Sequence, residues 1–257
     1  LIPHMLSTET PSLAVADVNN DGLDDVFAGG ARGFKAALYV QQANGRFVQT
    51  KQPSLDLDSS YENTDACWAD VDSDGDMDLA VASGGNEFYG RDTHNTPRIY
   101  INDGKGLLTK LANPFGALYM TASTIAPADI NGDGYVDFFI GARAVPWGYG
   151  EIPPSYLFLN NKNGTFTDVT EAYAGDLGKA GFVTKAIWFD IDKDSDNDLL
   201  LSLEWGGLVA YLDNDGKFSK KRLTDKNGWW NFILPVDVNG DGHTDLIAGN
   251  LGLNSRL

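Results

Sequence analysis

The chain has 257 residues, 42% of them hydrophobic, and a formal net charge of −17. This length suits one large domain or two small ones with a substantial core. The strong negative charge argues against binding to nucleic acid or an anionic membrane, and the sequence contains no apolar run of about eighteen residues that would span a bilayer.

In chain order, the first recognisable element is a short apolar segment, Leu13–Ala16, followed by an acidic nine-residue loop, 17–25, and a second apolar segment, 26–28. The same succession recurs around four more acidic loops, at 70–78, 129–137, 190–198 and 237–245. The flanking segments are too short for helices and are rich in apolar residues, which is typical of buried strands.

A second hairpin follows in four of the five units. Each has two strand-like segments around an Asn-Gly or Asp-Gly dipeptide, at 44–45, 103–104, 163–164 and 215–216. These dipeptides accept the positive φ of tight hairpin turns. Each unit therefore reads as strand, acidic loop, strand, connection, strand, turn and strand.

Four antiparallel strands per unit, repeated with no convincing helical stretch, predict an all-β fold: a β-propeller with about five blades. We expect one domain over 1–257, with blades at about 10–60, 61–115, 116–175, 176–225 and 226–257. The last blade ends before its second hairpin. We therefore expect that the propeller is truncated and that the chain is part of a longer protein.

The acidic loops have the spacing of calcium-binding loops. A calcium ion takes six to eight oxygens, and a tight loop supplies them from side chains 1, 3 and 5, the carbonyl of residue 7 and a closing carboxylate. Positions 1, 3, 5, 7 and 9 of the five loops are Asp17, Asn19, Asp21, Leu23 and Asp25; Asp70, Asp72, Asp74, Asp76 and Asp78; Asp129, Asn131, Asp133, Tyr135 and Asp137; Asp190, Asp192, Asp194, Asp196 and Asp198; and Asp237, Asn239, Asp241, His243 and Asp245.

The loops are not EF-hands, because an EF-hand needs a glutamate at position 12. That position is apolar in all five loops, where it holds Ala28, Val81, Ile140, Leu201 and Ala248. Position 6, which needs a sharp turn, is glycine in four loops and Ser195 in the fourth. We predict up to five Ca²⁺ ions, with the weakest binding at the Ser195 loop, where Lys193 also lies beside the ion.

The loops, the Gly-rich segments that follow them (29–30, 84–85 and 141–142) and the intervening hairpins resemble FG-GAP/VCBS repeats, the family that includes the integrin α-subunit propeller. Segments 163–170, 188–190, 204–205 and 249–254 are similar to the ASPIC/UnbV-associated, cartilage-acidic-protein-like branch. The resemblance implies a calcium-bearing, usually seven-bladed propeller on secreted or cell-surface proteins, serving adhesion or ligand recognition.

Several aromatic residues lie outside the strand pattern: Trp147, Tyr149, Trp205, Trp229 and Trp230. They are candidates for a ligand-binding platform that stacks on a sugar, and the alternative is that they pack between blades. The single cysteine, Cys67, allows no disulfide within the chain, and its apolar setting suggests a small buried residue. We assign no catalytic residue.

The leading interpretation is an extracellular recognition or adhesion module for a protein or glycan, in which calcium is structural. Extracellular calcium modules have dissociation constants of roughly 10⁻⁴–10⁻³ M, so cytosolic calcium would leave such sites empty. We therefore expect a secreted, cell-surface or periplasmic protein. One alternative is a carbohydrate-active enzyme resembling a polysaccharide lyase, with calcium near the substrate and Arg91, His94 and Arg143 as candidates. A third is a purely structural segment.

Overall fold

The computed structural model describes residues 12–148 and 150–252, which form 43% strand and 7% helix. In the first three sheets the strands lie in chain order, and every pairing is antiparallel. The first sheet contains β1 (Leu13–Ala16), β2 (Asp25–Ala28), β3 (Ala37–Gln41) and β4 (Phe47–Gln49); the second β5 (Asn63–Ala69), β6 (Asp78–Ser83), β7 (Arg98–Asn102) and β8 (Leu108–Lys110); the third β9 (Thr121–Ala128), β10 (Asp137–Ala144), β11 (Tyr156–Asn160) and β12 (Phe166–Asp168).

The fourth sheet contains β13 (Phe182–Phe189), β14 (Asp198–Gly206), β15 (Leu208–Leu212) and β16 (Ser219–Arg222), and a fifth unit has one hairpin, β17 (Gly228–Val236) with β18 (Asp245–Asn250). The predicted second hairpins are confirmed, because an Asn-Gly or Asp-Gly turn joins the third and fourth strands in all four sheets. Their glycines, Gly45, Gly104, Gly164 and Gly216, all have positive φ.

The core is divided into four apolar clusters, one between each pair of successive sheets. Period-2 alternation within the second strands produces this division, because neighbouring residues face different sheets. In β10, Phe138 packs toward the second sheet and Phe139 toward the fourth. In β14, Leu199 packs toward the third sheet and Leu200 toward the fifth hairpin. Both faces of these strands are therefore buried, which explains their continuous apolar sequence.

The first strands of successive units lie side by side, β1 by β5, β5 by β9, β9 by β13 and β13 by β17. Asp65 on β5 joins three of them. Its carboxylate accepts hydrogen bonds from the Thr124 hydroxyl at 2.9 Å and the Ile125 N–H at 3.1 Å on β9, and from the Lys185 ammonium on β13 at 2.7 Å. This radial arrangement of four-stranded antiparallel blades is a β-propeller, as predicted.

Two features differ from the sequence expectation. The units are not wholly separate, since the long strand β14 pairs beyond its own sheet with β17, through Glu204 opposite Trp229. Helical structure is also present in the described ranges, as two single-turn helices, α1 (Pro53–Leu57) and α2 (Thr170–Ala174), and two 3₁₀ turns, Thr93–Asn95 and Leu177–Lys179. Each connects or covers a sheet. No helix in the described part of the chain is long and apolar enough to cross a membrane.

Candidate metal centres

Each acidic loop connects the first and second strands of its unit, so all five loops lie at equivalent ends of the sheets. Position 9 of every loop is also the first residue of the second strand: Asp25, Asp78, Asp137, Asp198 and Asp245. The first four of these aspartates have no exposed surface. A loop closed by a fully buried carboxylate is anchored in the blade rather than free in solvent.

The position-9 carboxylate is held by two backbone groups. One oxygen accepts the N–H of position 2, at distances between 2.9 and 3.2 Å in the five loops. In the first four units the other oxygen accepts the N–H of the residue that ends or follows the third strand, at 2.7–2.8 Å, namely Gln41, Asn102, Asn160 and Asp213. The sequence did not predict this second contact, which fixes the loop to the neighbouring hairpin.

Inside the loop, three hydrogen bonds recur in all five copies. The position-1 carboxylate accepts the N–H of position 6 at 2.7–3.0 Å and that of position 5 at 3.0–3.3 Å. The position-5 carboxylate accepts the N–H of position 7 at 2.8–3.0 Å. These bonds fix the orientation of the position-1 and position-5 carboxylates in every loop.

Two positions in each loop adopt the left-handed backbone conformation. Position 6 does so as predicted, and Ser195 has a φ of 82° where the other loops have glycine. Position 4 does so as well, at Asn20, Ser73, Gly132, Lys193 and Gly240. Sequence reasoning missed this second turn, although the Asn and Gly residues found there are a recognised signal for positive φ.

In two of the loops, the carboxylate oxygens within the loop lie close enough together to bind one cation. In the second loop, carboxylate oxygens of Asp70, Asp72 and Asp78 all lie within 4.8 Å of one another, and in the fourth loop those of Asp190, Asp192 and Asp194 do so. Calcium–oxygen distances of about 2.3–2.6 Å permit such a separation between two ligands of one ion. The donor set is oxygen only, so these residues fit a hard divalent cation.

Burial and mutual repulsion act on the loop carboxylates. The pKa of Asp78 is raised to about 6, mainly by desolvation, with the charges of Asp72 and Asp74 adding to the effect. Asp137 behaves alike, its pKa raised to about 6 by desolvation and by Asp133 and Asp129. A bound cation would reverse this repulsion, because it offers opposite charge to all of these groups.

Successive loops also contact one another. Asn20, at position 4 of the first loop, donates its side-chain amide to Asp76, at position 7 of the second, at 2.7 Å. In the same way the ammonium of Lys193, at position 4 of the fourth loop, lies 3.1 Å from the ring Nδ1 of His243, at position 7 of the fifth. Lys193 thus reaches toward the next loop.

The predicted aromatic platform divides into two places. Trp147 is 76% exposed and meets the edge of the 72% exposed Tyr89 at 6.1 Å between ring centroids. Trp205 is 50% exposed and meets Trp229 edge-on at 4.9 Å. Trp147 is thus largely exposed, whereas Trp205 is half-buried and contacts a ring of the next unit. Tyr149 lies outside the described residues.

Trp230 differs from these residues, because it is partly buried against the apolar cluster between the fourth sheet and the last hairpin. Its indole N–H donates to the Lys226 carbonyl at 3.3 Å. Cys67 is partly buried on β5, and desolvation, with a contribution from Asp65, raises the pKa of its thiol far above the ordinary range. Both side chains therefore pack within the fold instead of forming an exposed surface.

The three residues named for an enzymatic alternative have separate surroundings. Arg143 donates to Glu204, with both side chains largely buried. The His94 ring lies 2.7 Å from Asp92 and 3.0 Å from the Ser60 hydroxyl, and it stacks on Phe88 at 4.1 Å. Because Asp92 also accepts the N–H of His94, the group caps a 3₁₀ turn and orders the connection after β6. Arg91 is exposed.

Together these features define a class, a β-propeller whose blades carry acidic loops able to hold metal ions. The model of the FG-GAP-like repeat matches residues 11–81, 83–140 and 190–248, and each match includes at least one acidic loop. These matches cover more than half of the chain. The chain belongs to the FG-GAP-like repeat family.

Among solved structures, the chain is similar to a lectin of Agrocybe aegerita described in specific recognition of non-reducing terminal N-acetylglucosamine. The TM-score is 0.59 and the identity 17%, over 94% of this chain and 61% of that one. It is also similar to the Vibrio cholerae biofilm matrix protein Bap1, with a TM-score of 0.43 and 20% identity, over 93% of this chain and 34% of that one. The chain thus spans about three fifths or less of these proteins, and the first likeness shows the fold alone.

Proposed function

We propose that this protein is an extracellular recognition or adhesion module in which calcium ions, one in each acidic loop, keep the blades rigid. The observation that carries the proposal is the set of hydrogen bonds shared by all five loops, together with three carboxylates whose oxygens lie within 4.8 Å of one another in each of the second and fourth loops. Positions 1, 3, 5 and 9 provide side-chain oxygens and position 7 provides its carbonyl. Extracellular calcium concentrations suit the weak affinities of such sites.

Calcium in this role acts on stability. At ten times its dissociation constant, one bound ion adds about 1.4 kcal/mol, so that five would add roughly 7 kcal/mol, comparable with the whole stability of a domain. The connecting loops at the other end of the blades would then be the recognition surface, since rigid scaffolds commonly present binding residues on loops. Trp147, which follows β10, and Trp205, which lies near the end of β14, are at that end, and Trp147 is 76% and Trp205 50% exposed.

A protein or a glycan is the proposed ligand. Exposed tryptophan rings favour stacking on a sugar face, and the likeness to a lectin that recognises N-acetylglucosamine is consistent with this choice. The segment similarities noted above favour the ASPIC/UnbV-associated branch within the family. We also propose that the blades span the residue ranges predicted from the sequence.

Additional blades are also part of the proposal. Leu13 and Val15 on β1 are 67% and 57% exposed, and Leu234 and Ile247 on the last hairpin are 52% and 42% exposed. Large apolar side chains on the outer faces of the first and last units are what further blades would cover. A propeller of seven blades would supply that cover.

The test is a glycan and protein binding screen with and without calcium, run beside thermal unfolding in calcium and in chelator. We expect a melting temperature that falls steeply in chelator and ligand binding that requires calcium. Melting that is indifferent to chelator would remove the structural role of calcium. Trp147→Ala and Trp205→Ala should weaken glycan binding without changing the melting temperature.

A further inference from the structure

A cleft of about 480 Å³ lies between the third and fourth acidic loops. It is lined by Ile130 and Gly132 of the third loop, Asp196 and Asn197 of the fourth loop, and Asp213 at the end of β15. Tyr173 and Trp188 contribute aromatic surface, and Asp215 contributes another carboxylate. Two other blades have an asparagine side chain at the position equivalent to Asp213.

Asparagine closes the equivalent place in two other blades. Asn102, which ends β7, donates its side-chain amide to the carbonyls of Val18, position 2 of the preceding loop, and Met77, position 8 of its own loop, at 2.7 and 3.1 Å. Asn160, which ends β11, donates in the same way to Val71 and Val136, at 2.8 and 3.1 Å. One amide NH₂ thus bridges two acceptors across the interface between blades.

Asp213 is the equivalent residue in the fourth blade. Its N–H donates to the position-9 Asp198 at 2.8 Å, as the N–H groups of Asn102 and Asn160 donate to their own position-9 aspartates. One of its carboxylate oxygens accepts the Gly216 N–H at 2.8 Å, which corresponds to the amide oxygen of asparagine. The other oxygen occupies the place of the NH₂ group.

With aspartate in place of asparagine, the fourth blade has no side-chain amide to donate to the two backbone carbonyls. The carbonyls equivalent to those that Asn102 and Asn160 bridge belong to Ile130 and Asn197, and both residues line the cleft with Asp213. Asp213 is only 7% exposed, and among the hydrogen bonds of residues 12–148 and 150–252 its second oxygen receives no donor. A carboxylate that is mostly removed from water and faces an open cleft is stabilised there by a cationic donor.

The cleft is open to such a donor because of one glycine. Position 4 of the first loop, Asn20, and of the fourth loop, Lys193, reach across to position 7 of the next loop. In the third loop position 4 is Gly132, which has no side chain to reach Asp196. Access from solvent to Asp213 therefore remains.

We propose that this cleft binds a primary alkylammonium group, of a free amine or of a lysine side chain. Its three N–H donors match the Asp213 oxygen and the carbonyls of Ile130 and Asn197, and its charge balances the carboxylate that replaces a neutral amide. A cleft of this volume exceeds the roughly 30 Å³ occupied by one water molecule and so has room for the carbon chain. Tyr173 and Trp188 offer that chain apolar contact and the cation a ring face.

The experiment is isothermal titration of the calcium-loaded protein with n-butylammonium and, separately, with Nα-acetyl-lysine methylamide. The first probe represents a free amine and the second a lysine side chain. Butyltrimethylammonium is the matched control, since it has the same charge and chain but no N–H donor. We expect the two primary amines to bind. The quaternary control should bind at least about ten-fold more weakly than either of them.

Two variants test the residues. Asp213→Asn rebuilds the amide bridge of Asn102 and Asn160, so it should keep or raise the melting temperature while weakening amine binding by about ten-fold or more. Gly132→Asn should reach Asp196 as Asn20 reaches Asp76, and it too should block the amines; asparagine tolerates the φ of 69° found there.

Three results would overturn the assignment: no binding of either amine to the unaltered protein, equal binding to Asp213→Asn, or a calcium stoichiometry one lower in Asp213→Asn together with displacement of the amine by calcium. The last result would mean that the cleft holds a metal ion. Asp129 and Asn131, at positions 1 and 3 of the third loop, also line the cleft, but Asp213 belongs to no loop. The calcium stoichiometry of the unaltered protein, measured without amine, therefore tests the proposed function separately.

Discussion

Asn102 donates its side-chain amide to the backbone carbonyl of Val18 at 2.7 Å, although 84 positions separate them in the sequence. The bond joins the third strand of one blade to the acidic loop of the preceding blade. Because Asn102 also donates its N–H to the loop aspartate Asp78, one residue holds two successive loops. Asn160 repeats the arrangement one blade later.

Replacing this amide with a carboxylate should weaken the interface between blades. Asn102→Asp removes two donors and leaves buried carbonyls facing a buried charge, so we expect a loss of about 1–3 kcal/mol in the free energy of unfolding. Chemical denaturation in calcium measures it. Asn44→Asp, at an exposed hairpin turn, adds the same charge and should change stability by less than about 0.5 kcal/mol. Equal losses in both variants would contradict the role of the bridge.

Lys185 should stabilise the blades by neutralising Asp65. In Lys185→Met the buried carboxylate keeps its bonds from Thr124 and Ile125 but loses its cation. Since the Lys185 side chain is 37% exposed, we expect a loss of about 1–3 kcal/mol, less than the 3–5 typical of breaking a fully buried pair.

The control for Lys185 is Lys35→Met, which breaks an exposed pair with Asp56 and should cost about 1 kcal/mol or less. The double variant Asp65→Asn, Lys185→Met should recover part of the loss, because no buried charge remains. Urea unfolding of the four proteins provides the comparison. If the double variant were the least stable, charge neutralisation would not be the reason for the pair.

The fourth loop should become more stable when its left-handed serine is replaced. Ser195 has a φ of 82°, a conformation that costs a residue with a side chain about 1–2 kcal/mol. Ser195→Gly should therefore raise the free energy of unfolding by about 1 kcal/mol and tighten calcium binding at that loop. The reciprocal change Gly75→Ser, at a φ of 95°, should lower it by about as much. Calorimetric calcium titration and unfolding measure both, and the same direction of change in the two variants would refute the strain.

The metal-free protein should lose stability as pH rises from about 4 to 6. Desolvation, with nearby carboxylates, raises the pKa of Asp78 and Asp137 to about 6 in the folded state, against an ordinary value of 3.8. Between these values the folded protein binds more protons than the unfolded chain, so its stability is fully present below about pH 4 and declines through pH 6. A shift of about two pKa units corresponds to about 3 kcal/mol for each group, so the two together should account for up to about 6 kcal/mol.

Calcium should reverse this dependence, because its ligands bind in the deprotonated form and calcium affinity rises over the same pH range. Denaturation of dialysed and calcium-loaded protein at several pH values measures both slopes. A metal-free stability that increased from pH 4 to 6 would be inconsistent with the buried, repelled carboxylates of the second and third loops.

Much of the fold was predictable because its signals are local. The spacing of side chains 1, 3, 5 and 9 predicts a loop from nine consecutive residues, and the Asn-Gly dipeptide at 44–45 predicts a tight hairpin turn from two. The positive φ at position 4 was also a local signal, present in Asn20 and Gly132 but not used. The short helix α2 escaped prediction, since a single turn gives too little periodicity to be recognised.

The sequence by itself determined the acidic loops, the hairpin turns and, through their recurrence, the repeat, because each of these signals is carried by a short stretch of neighbouring residues. Tertiary structure alone decided which blade interface is bridged by Asn102 and which is left open beside Asp213, whether Trp147 is exposed, and that Asp65 meets Lys185. These outcomes depend on which strands become neighbours around the propeller. A carboxylate and an amide at the same strand end look alike in the sequence until the two carbonyls that face them are known.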